Sequence, residues 1–211
     1  MKQIKKHGNA GFSLVEMLLA MMITLVLLAI ASSLFARALS VRARESRRTD
    51  ALTSAQAALN VMSREISNAG YGIYTDSTTR KGSNGIVLAD CSTSKIHFRT
   101  NLVNTDGLTN SAGEDVTYFF DNTTKSIVRY DANSATTSVV VNRISQVTFT
   151  YFDYVGASST GTSSTTPSSN TGRIQINITV TLDPVTGQPD GTVSFTTQVT
   201  LRNSNYMLNQ Y

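Results

Sequence analysis

The chain has 211 residues, with 18 Lys and Arg against 14 Asp and Glu and only 15 % charged residues in all. This length suits one ordinary domain with an appendage, and a formal charge of +4 spread over it does not mark a nucleic-acid binder. The single cysteine, Cys91, excludes an internal disulfide framework and an all-cysteine zinc site, and two histidines, His7 and His97, leave almost no room for a histidine-rich metal centre.

The first element is an apolar run. Between Met17 and Ala31 only Thr24 is polar, and the run continues through Leu34, Phe35 and Ala36. About twenty such residues in a helix match the roughly 30 Å hydrocarbon core of a bilayer. Composition alone leaves a secretory signal peptide open as well, with Ala29-Ile30-Ala31 as a small-residue cleavage site. Against that reading stands Glu16, an acid inside the apolar edge. An ionised carboxylate costs about 2.5–3.5 kcal/mol at the centre of a span and less near its interface, so Glu16 is expected to have a partner.

The stretch Gly11-Phe12-Ser13-Leu14-Val15-Glu16-Met17-Leu18 resembles the signal of type IV prepilins and type II secretion pseudopilins. The resemblance implies residues 1–11 as a leader peptide, cut between Gly11 and Phe12 by a prepilin peptidase that then N-methylates the Phe12 amine. It implies that Glu16 pairs with the Phe12 amine of a neighbouring subunit during assembly. The expected partners are other major and minor pilins through the N-terminal helix, the inner membrane and the pilus assembly machinery. The expected location is the inner membrane, as a single-pass chain with a periplasmic head, and then the pilus at the cell surface. Basic residues point the other way: Lys2, Lys5 and Lys6 precede the span, whereas Arg37, Arg42, Arg44, Arg47 and Arg48 follow it. The positive-inside count therefore opposes the orientation that the cleavage motif requires, and the motif is preferred because a leader must face its peptidase.

No Gly or Pro occurs between Phe12 and Ala69. After the span, Leu52, Ala55, Leu59, Met62 and Ile66 recur at three- and four-residue spacing. The pattern predicts one helix about 85 Å long, with residues 12–36 as its transmembrane half and 37–70 as its amphipathic half, ended at Gly70 and Gly72. Arg37, Arg44 and Arg48 fall near one helical face, but without interleaved aromatics they indicate a solvated or subunit-facing surface rather than a nucleic-acid platform. The junction Leu59 to Gly72, with an acid followed by Ala69-Gly70-Tyr71, is similar to the PilW family of minor pilins. Tyr71 is expected to fold back onto the first sheet.

From residue 71 to 211 a β-rich head is expected, because beyond residue 85 the period becomes two. Val116, Tyr118 and Phe120 alternate with their neighbours, Val139-Val140-Val141 follows, then Val147, Phe149 and Tyr151. Ile174, Ile176, Ile178, Val180 and Leu182 form one alternating set, and Val193, Phe195, Val199 and Leu201 another. These two read as a hairpin around the turn-rich stretch from Asp183 to Gly191. An antiparallel sheet packed on the amphipathic half-helix gives an α+β architecture, which the resemblance identifies with the type IV pilin fold. Residues 157–172 hold only small and polar residues and read as a flexible loop.

Catalytic groups are not found. His97 sits in a strand pattern and reads as a surface histidine, and no Gly-rich phosphate loop is present. Asp183 and Asp190 are weak Ca²⁺ candidates, with no other metal site or cofactor expected. Cys91 is expected to be buried or to bridge to another chain. Major pilins commonly close a C-terminal loop with a disulfide that one cysteine cannot form. The expected function is therefore a minor, PilW-like pilin, a structural subunit and not an enzyme. The alternatives are a GspJ-like minor pseudopilin of type II secretion, or a tip adhesin or DNA-binding pilin. Loss of residues 1–11 would remove three lysines and leave 15 basic side chains against 14 acidic ones, so most of the net charge belongs to the leader.

Overall fold

The computed structural model describes residues 11–76, 81–104, 106–155, 160–182 and 191–208. Two compact units partition the chain at residues 46 and 47.

Helix α1 runs over Leu14–Ser67 without interruption. In the first unit its side chains from Leu14 to Leu39 are all solvent-facing, and the Thr24 and Ser33 hydroxyls bond back to the helix itself. The Thr24 hydroxyl donates to the Ala20 and Met21 carbonyls at 2.8 and 2.9 Å, and Ser33 donates to Ile30 at 2.8 Å. Such back-bonding leaves an apolar cylinder with its backbone groups paired internally, as a hydrocarbon environment demands.

The second unit is built on the last turns of α1. Ala55, Ala58, Leu59, Met62 and Ile66 are buried, whereas Leu52, at the start of the same stripe, is only half-buried. Alanines at 55 and 58 remove side-chain bulk, which lets sheets approach this face closely. The chain then forms a small ribbon, β1 (Tyr74–Asp76) with β2 (Lys81–Gly82), and a 3-10 turn over Leu88–Asp90. A first four-stranded antiparallel sheet follows as β3 (Lys95–Arg99), β4 (Asp115–Asp121), β5 (Ser126–Asp131) and β6 (Thr136–Val141), in that spatial order. The second sheet contains β7 (Ile144–Asp153), β8 (Thr162–Ser164), β9 (Thr171–Thr181) and β10 (Thr192–Thr200), ordered β10-β9-β7-β8. A one-turn helix α2 (Asn205–Leu208) comes last.

One apolar cluster joins the α1 stripe to both sheets: Ile96, Phe98 and Tyr118 from the first, Phe149, Tyr151 and the Ile174-Ile176-Ile178 row from the second. The architecture is thus α+β, a long N-terminal helix followed by antiparallel sheets, in agreement with the type IV pilin fold. The sequence pattern predicts one sheet, but the described residues make two four-stranded sheets beside the β1–β2 ribbon. The break falls at Arg143, whose left-handed backbone (φ 61°) turns the chain between β6 and β7. The β9–β10 hairpin pairs in unbroken register from Arg173↔Thr200 to Thr181↔Thr192. Its turn, with Asp183 and Asp190, lies outside the described residues, so the Ca²⁺ expectation has no structural account.

Two expectations are corrected here. The Ser/Thr-rich stretch is not a structureless loop over residues 160–172: it contains β8, and its end is bound to the sheet. Ser168 and Thr171 each donate a hydroxyl to Asp153 at 2.6 Å, and the Asn84 amide donates to the Ser168 and Thr171 carbonyls at 2.9 and 3.2 Å. Small side chains suit this segment because Gly161 and Gly172 lie against the Tyr154 ring. Tyr71 also does not fold onto the sheet; it remains exposed.

Gly70 ends the helix in the left-handed region (φ 78°), and its N–H donates to the Arg99 carbonyl at 2.9 Å. A Cβ there would sit 1.8 Å from the Ser83 carbonyl oxygen, a backbone atom that cannot swing aside. Two independent penalties, conformation and overlap, therefore act at one position. Gly70→Ala is expected to cost more than about 2 kcal/mol. Denaturant unfolding of the two chains under identical conditions measures this, and equal midpoints would contradict it.

Candidate functional site

The sequence-predicted site residues Gly11, Phe12 and Glu16 come together at the start of α1. Gly11 and Phe12 precede the helix in irregular backbone, where Phe12 is 82 % exposed and, among the described residues, no atom lies within 4 Å of a Cβ placed on Gly11. An exposed, uncrowded peptide bond is what an endopeptidase requires. The helix begins with the Met17 N–H donating to the Ser13 carbonyl at 3.1 Å, and Glu16 lies in its first turn. A carboxylate there faces the positive end of the helix dipole. Glu16 follows Phe12 by four positions in the sequence. Beyond them α1 is long and apolar enough to cross a membrane, with none of its most apolar window buried.

Among the described residues, two charged clusters stand out in the head. In the first, His97 on β3 has Asp90 2.9 Å from Nδ1 and Asp115 2.5 Å from Nε2. Asp90 also pairs with Lys95, and Asp115 accepts from Arg99 Nε at 2.8 Å. His97 is therefore not the solvated strand histidine its sequence position suggests; its side chain is only 12 % exposed. The Lys95 ammonium, aided by the His97 hydrogen bond and opposed by burial, holds the Asp90 carboxyl below the usual carboxylate range. The partners come from the 3-10 turn and from β4, and strand pairing alone brings Asp115 opposite Arg99. A cavity of about 490 Å³ opens beside Lys95, His97, Phe119 and Tyr130. Every charged group in the cluster is matched by another, so the arrangement joins the turn to β3 and β4.

The second cluster attaches the helix to the first sheet. Glu65 of α1 accepts from the Tyr118 hydroxyl at 2.7 Å and from Arg129 Nε at 2.9 Å. Burial, reinforced by the Glu65 charge and hydrogen bond, pushes the Tyr118 phenol well above its ordinary range. Burial works to lower the Arg129 guanidinium, but the Glu65 hydrogen bond and charge outweigh it and the net shift is upward. Glu65 is the acid of the helix–sheet junction motif, and its tertiary contacts give it a structural task that the motif does not reveal. Periodicity could not have found this, because Tyr118 and Arg129 lie 53 and 64 residues away.

Cys91 is half-buried, with its thiol 3.3 Å from the Val87 carbonyl. Burial raises the thiol above its normal range, with a smaller opposing contribution from the backbone at His97. Among the described residues, no group of three or more His, Cys, Asp or Glu is placed to hold a metal ion.

Residues 6–32 match the family model of the prokaryotic N-terminal methylation motif. The match supports a type IV prepilin- or pseudopilin-like protein, with the peptidase processing and subunit assembly that the motif implies. No curated protein and no solved structure matches the chain.

Two outcomes follow for the head. Glu65→Ala removes the acceptor of both the Tyr118 hydroxyl and Arg129 Nε, leaving the guanidinium only its 4.0 Å approach to Asp131, and is expected to destabilise by about 2–3 kcal/mol, with Tyr118→Phe costing about 1 kcal/mol. Denaturation midpoints of both variants check the ranking, and a milder Glu65→Ala would contradict it. Cys91 should react with iodoacetamide at pH 8 more slowly than a free peptide thiol, because less thiolate is present and access is reduced. Fast modification, or a disulfide-linked dimer on non-reducing gels, would contradict this.

Proposed function

We propose that this chain is a minor, PilW-like type IV pilin: a structural subunit, not an enzyme, which enters the filament through α1. The observation that carries the reading is the exposed apolar surface of the first half of α1, headed by one acid, Glu16, inside the matched methylation motif. Such a surface is not stable in water, at about 25 cal/mol per Å² of apolar area. Held first in the inner membrane and then in a bundle of like helices, it exchanges one apolar environment for another, so transfer costs little.

In this reading the prepilin peptidase cuts between Gly11 and Phe12 and the new Phe12 amine is N-methylated. The amine becomes a cation at the apolar end of the subunit, and Glu16 of a neighbouring subunit offsets it. Each charge alone would be expensive among apolar helices; together they fix the axial register of one subunit against the next. The head stays on the periplasmic side. Minor rather than major status rests on the lone Cys91, and the likeness to PilW on the junction around Ala69-Gly70-Tyr71.

Glu16→Ala should leave cleavage and methylation intact, seen as an unchanged mature mass apart from the substitution. Its incorporation into sheared filaments should fall about tenfold or more, since an unmatched charge costs about 2.5–3.5 kcal/mol. Normal incorporation would remove the pairing role. Deletion of the gene should abolish pili; intact pili with lost protein secretion would move the reading to a minor pseudopilin.

A further inference from the structure

The sheet edges of the head are not equally protected. The outer edge of β3 is covered by residues 85–87: the Val87 N–H donates to the His97 carbonyl at 2.9 Å and the Arg99 N–H to Gly85 at 2.7 Å. Strand β8 is only three residues long. Strand β10 is different. Its nine residues, Thr-Val-Ser-Phe-Thr-Thr-Gln-Val-Thr, contain no charge and no proline, and its register with β9 has no bulge. Natural edges are usually blunted by one of those devices. Among the described residues, the backbone of β10 bonds to β9 alone, so the alternate N–H and C=O groups on its outer side have no ladder partner.

That free edge borders a groove of about 830 Å³. Thr197 to Thr200 line it from β10, Asn60 and Arg64 line it from α1 with Asn68 just past the helix end, and Arg202 is also in the lining. The lining contains two arginines and no acid. Neither guanidinium makes an ion pair among the described residues. Arg64 lies in the last turn of α1, where a cation complements the helix dipole, but Arg202 has no such reason to be basic.

We propose that the groove between β10 and the C-terminal turns of α1 accepts an extended, acidic segment of another polypeptide, which pairs with β10 as an additional strand while its carboxylates meet Arg64 and Arg202. The backbone edge supplies the hydrogen bonds common to strand addition, and the arginines select for charge. The inference stands on the head and does not depend on the filament reading.

The test uses the full chain in lipid nanodiscs and fluorescent peptides matching β10 in length, measured by anisotropy. One peptide alternates Thr and Val with Asp at intervals, a second has Lys in place of Asp, and a third is the Asp peptide N-methylated at alternate backbone amides. The Asp peptide should bind and the other two should not. The R64E/R202E variant should bind the Asp peptide about tenfold more weakly and gain affinity for the Lys peptide, a gain that a misfolded head could not produce. The milder R64Q/R202Q variant should weaken the Asp peptide alone. Absence of Asp-peptide binding, equal binding of the N-methylated peptide, or undiminished binding by R64E/R202E would overturn the proposal. So would concentration-dependent self-association abolished by the same charge reversal, which would assign the groove to a second copy.

Discussion

The head depends on burying one face of α1 between Ala55 and Ile66. Both four-stranded sheets send aromatic and aliphatic side chains into one apolar cluster with that face, and the helix residues are an integral part of it. Neither sheet has a closed core without it: β7 and β9 present Phe149, Tyr151 and a row of three isoleucines that would otherwise face water. Area bookkeeping explains the dependence, since each such side chain gains about 1.5–3 kcal/mol from full burial. Small residues at 55 and 58 set how closely the sheets can approach.

Polar contacts then fix what apolar burial leaves undetermined. A stripe of alanine, leucine and isoleucine could slide along a sheet by one turn at little cost. Glu65 prevents this by meeting both the Tyr118 hydroxyl and Arg129, a geometry available in one register only. The helix end is fastened again by Gly70 against Arg99 and by the Asn203 amide, which donates to the Asn68 and Ala69 carbonyls. Those carbonyls belong to the turn that ends the helix, where intrahelical donors run out; the Asn68 carbonyl also accepts from the Tyr71 N–H at 3.0 Å. The acid Glu65 and the glycine Gly70 at this junction thus both have physical reasons to be where they are.

Along α1, residues 14–36 and residues 55–66 obey different rules. The first stretch is apolar on every side, with hydroxyls bonded back to their own backbone; the second is apolar on one stripe and polar elsewhere. This difference is visible in the order of residues because it depends only on composition and on the 3.6-residue period. The helix, its ends to within two or three residues, the motif around Gly11, Phe12 and Glu16, and the alternation of β7, β9 and β10 were all legible for the same reason. Each is a local pattern whose spacing follows from backbone geometry.

What was not legible is what arises between distant residues. Strand β5 has consecutive buried residues at Ser126, Ile127 and Val128, and the bulge opposite them, where β6 carries Val140 as an extra residue, erases the alternation that would announce a strand. The division into two sheets hangs on the left-handed backbone of one arginine. His97 looked like a solvated strand residue because Asp90 and Asp115 are brought to it by a turn and by strand pairing. The Ser/Thr-rich stretch looked unanchored because its anchors, Asp153 and Asn84, are far along the chain. By itself the sequence determined the apolar run, the methylation motif, the helix and the α+β class, since these rest on short-range periodicity and on a contiguous signal. The tertiary structure alone decided the ion-pair partners, the sheet count and the open groove beside β10, because hydrogen bonds and charge pairing depend on proximity in space, which the spacing of residues along the chain does not encode.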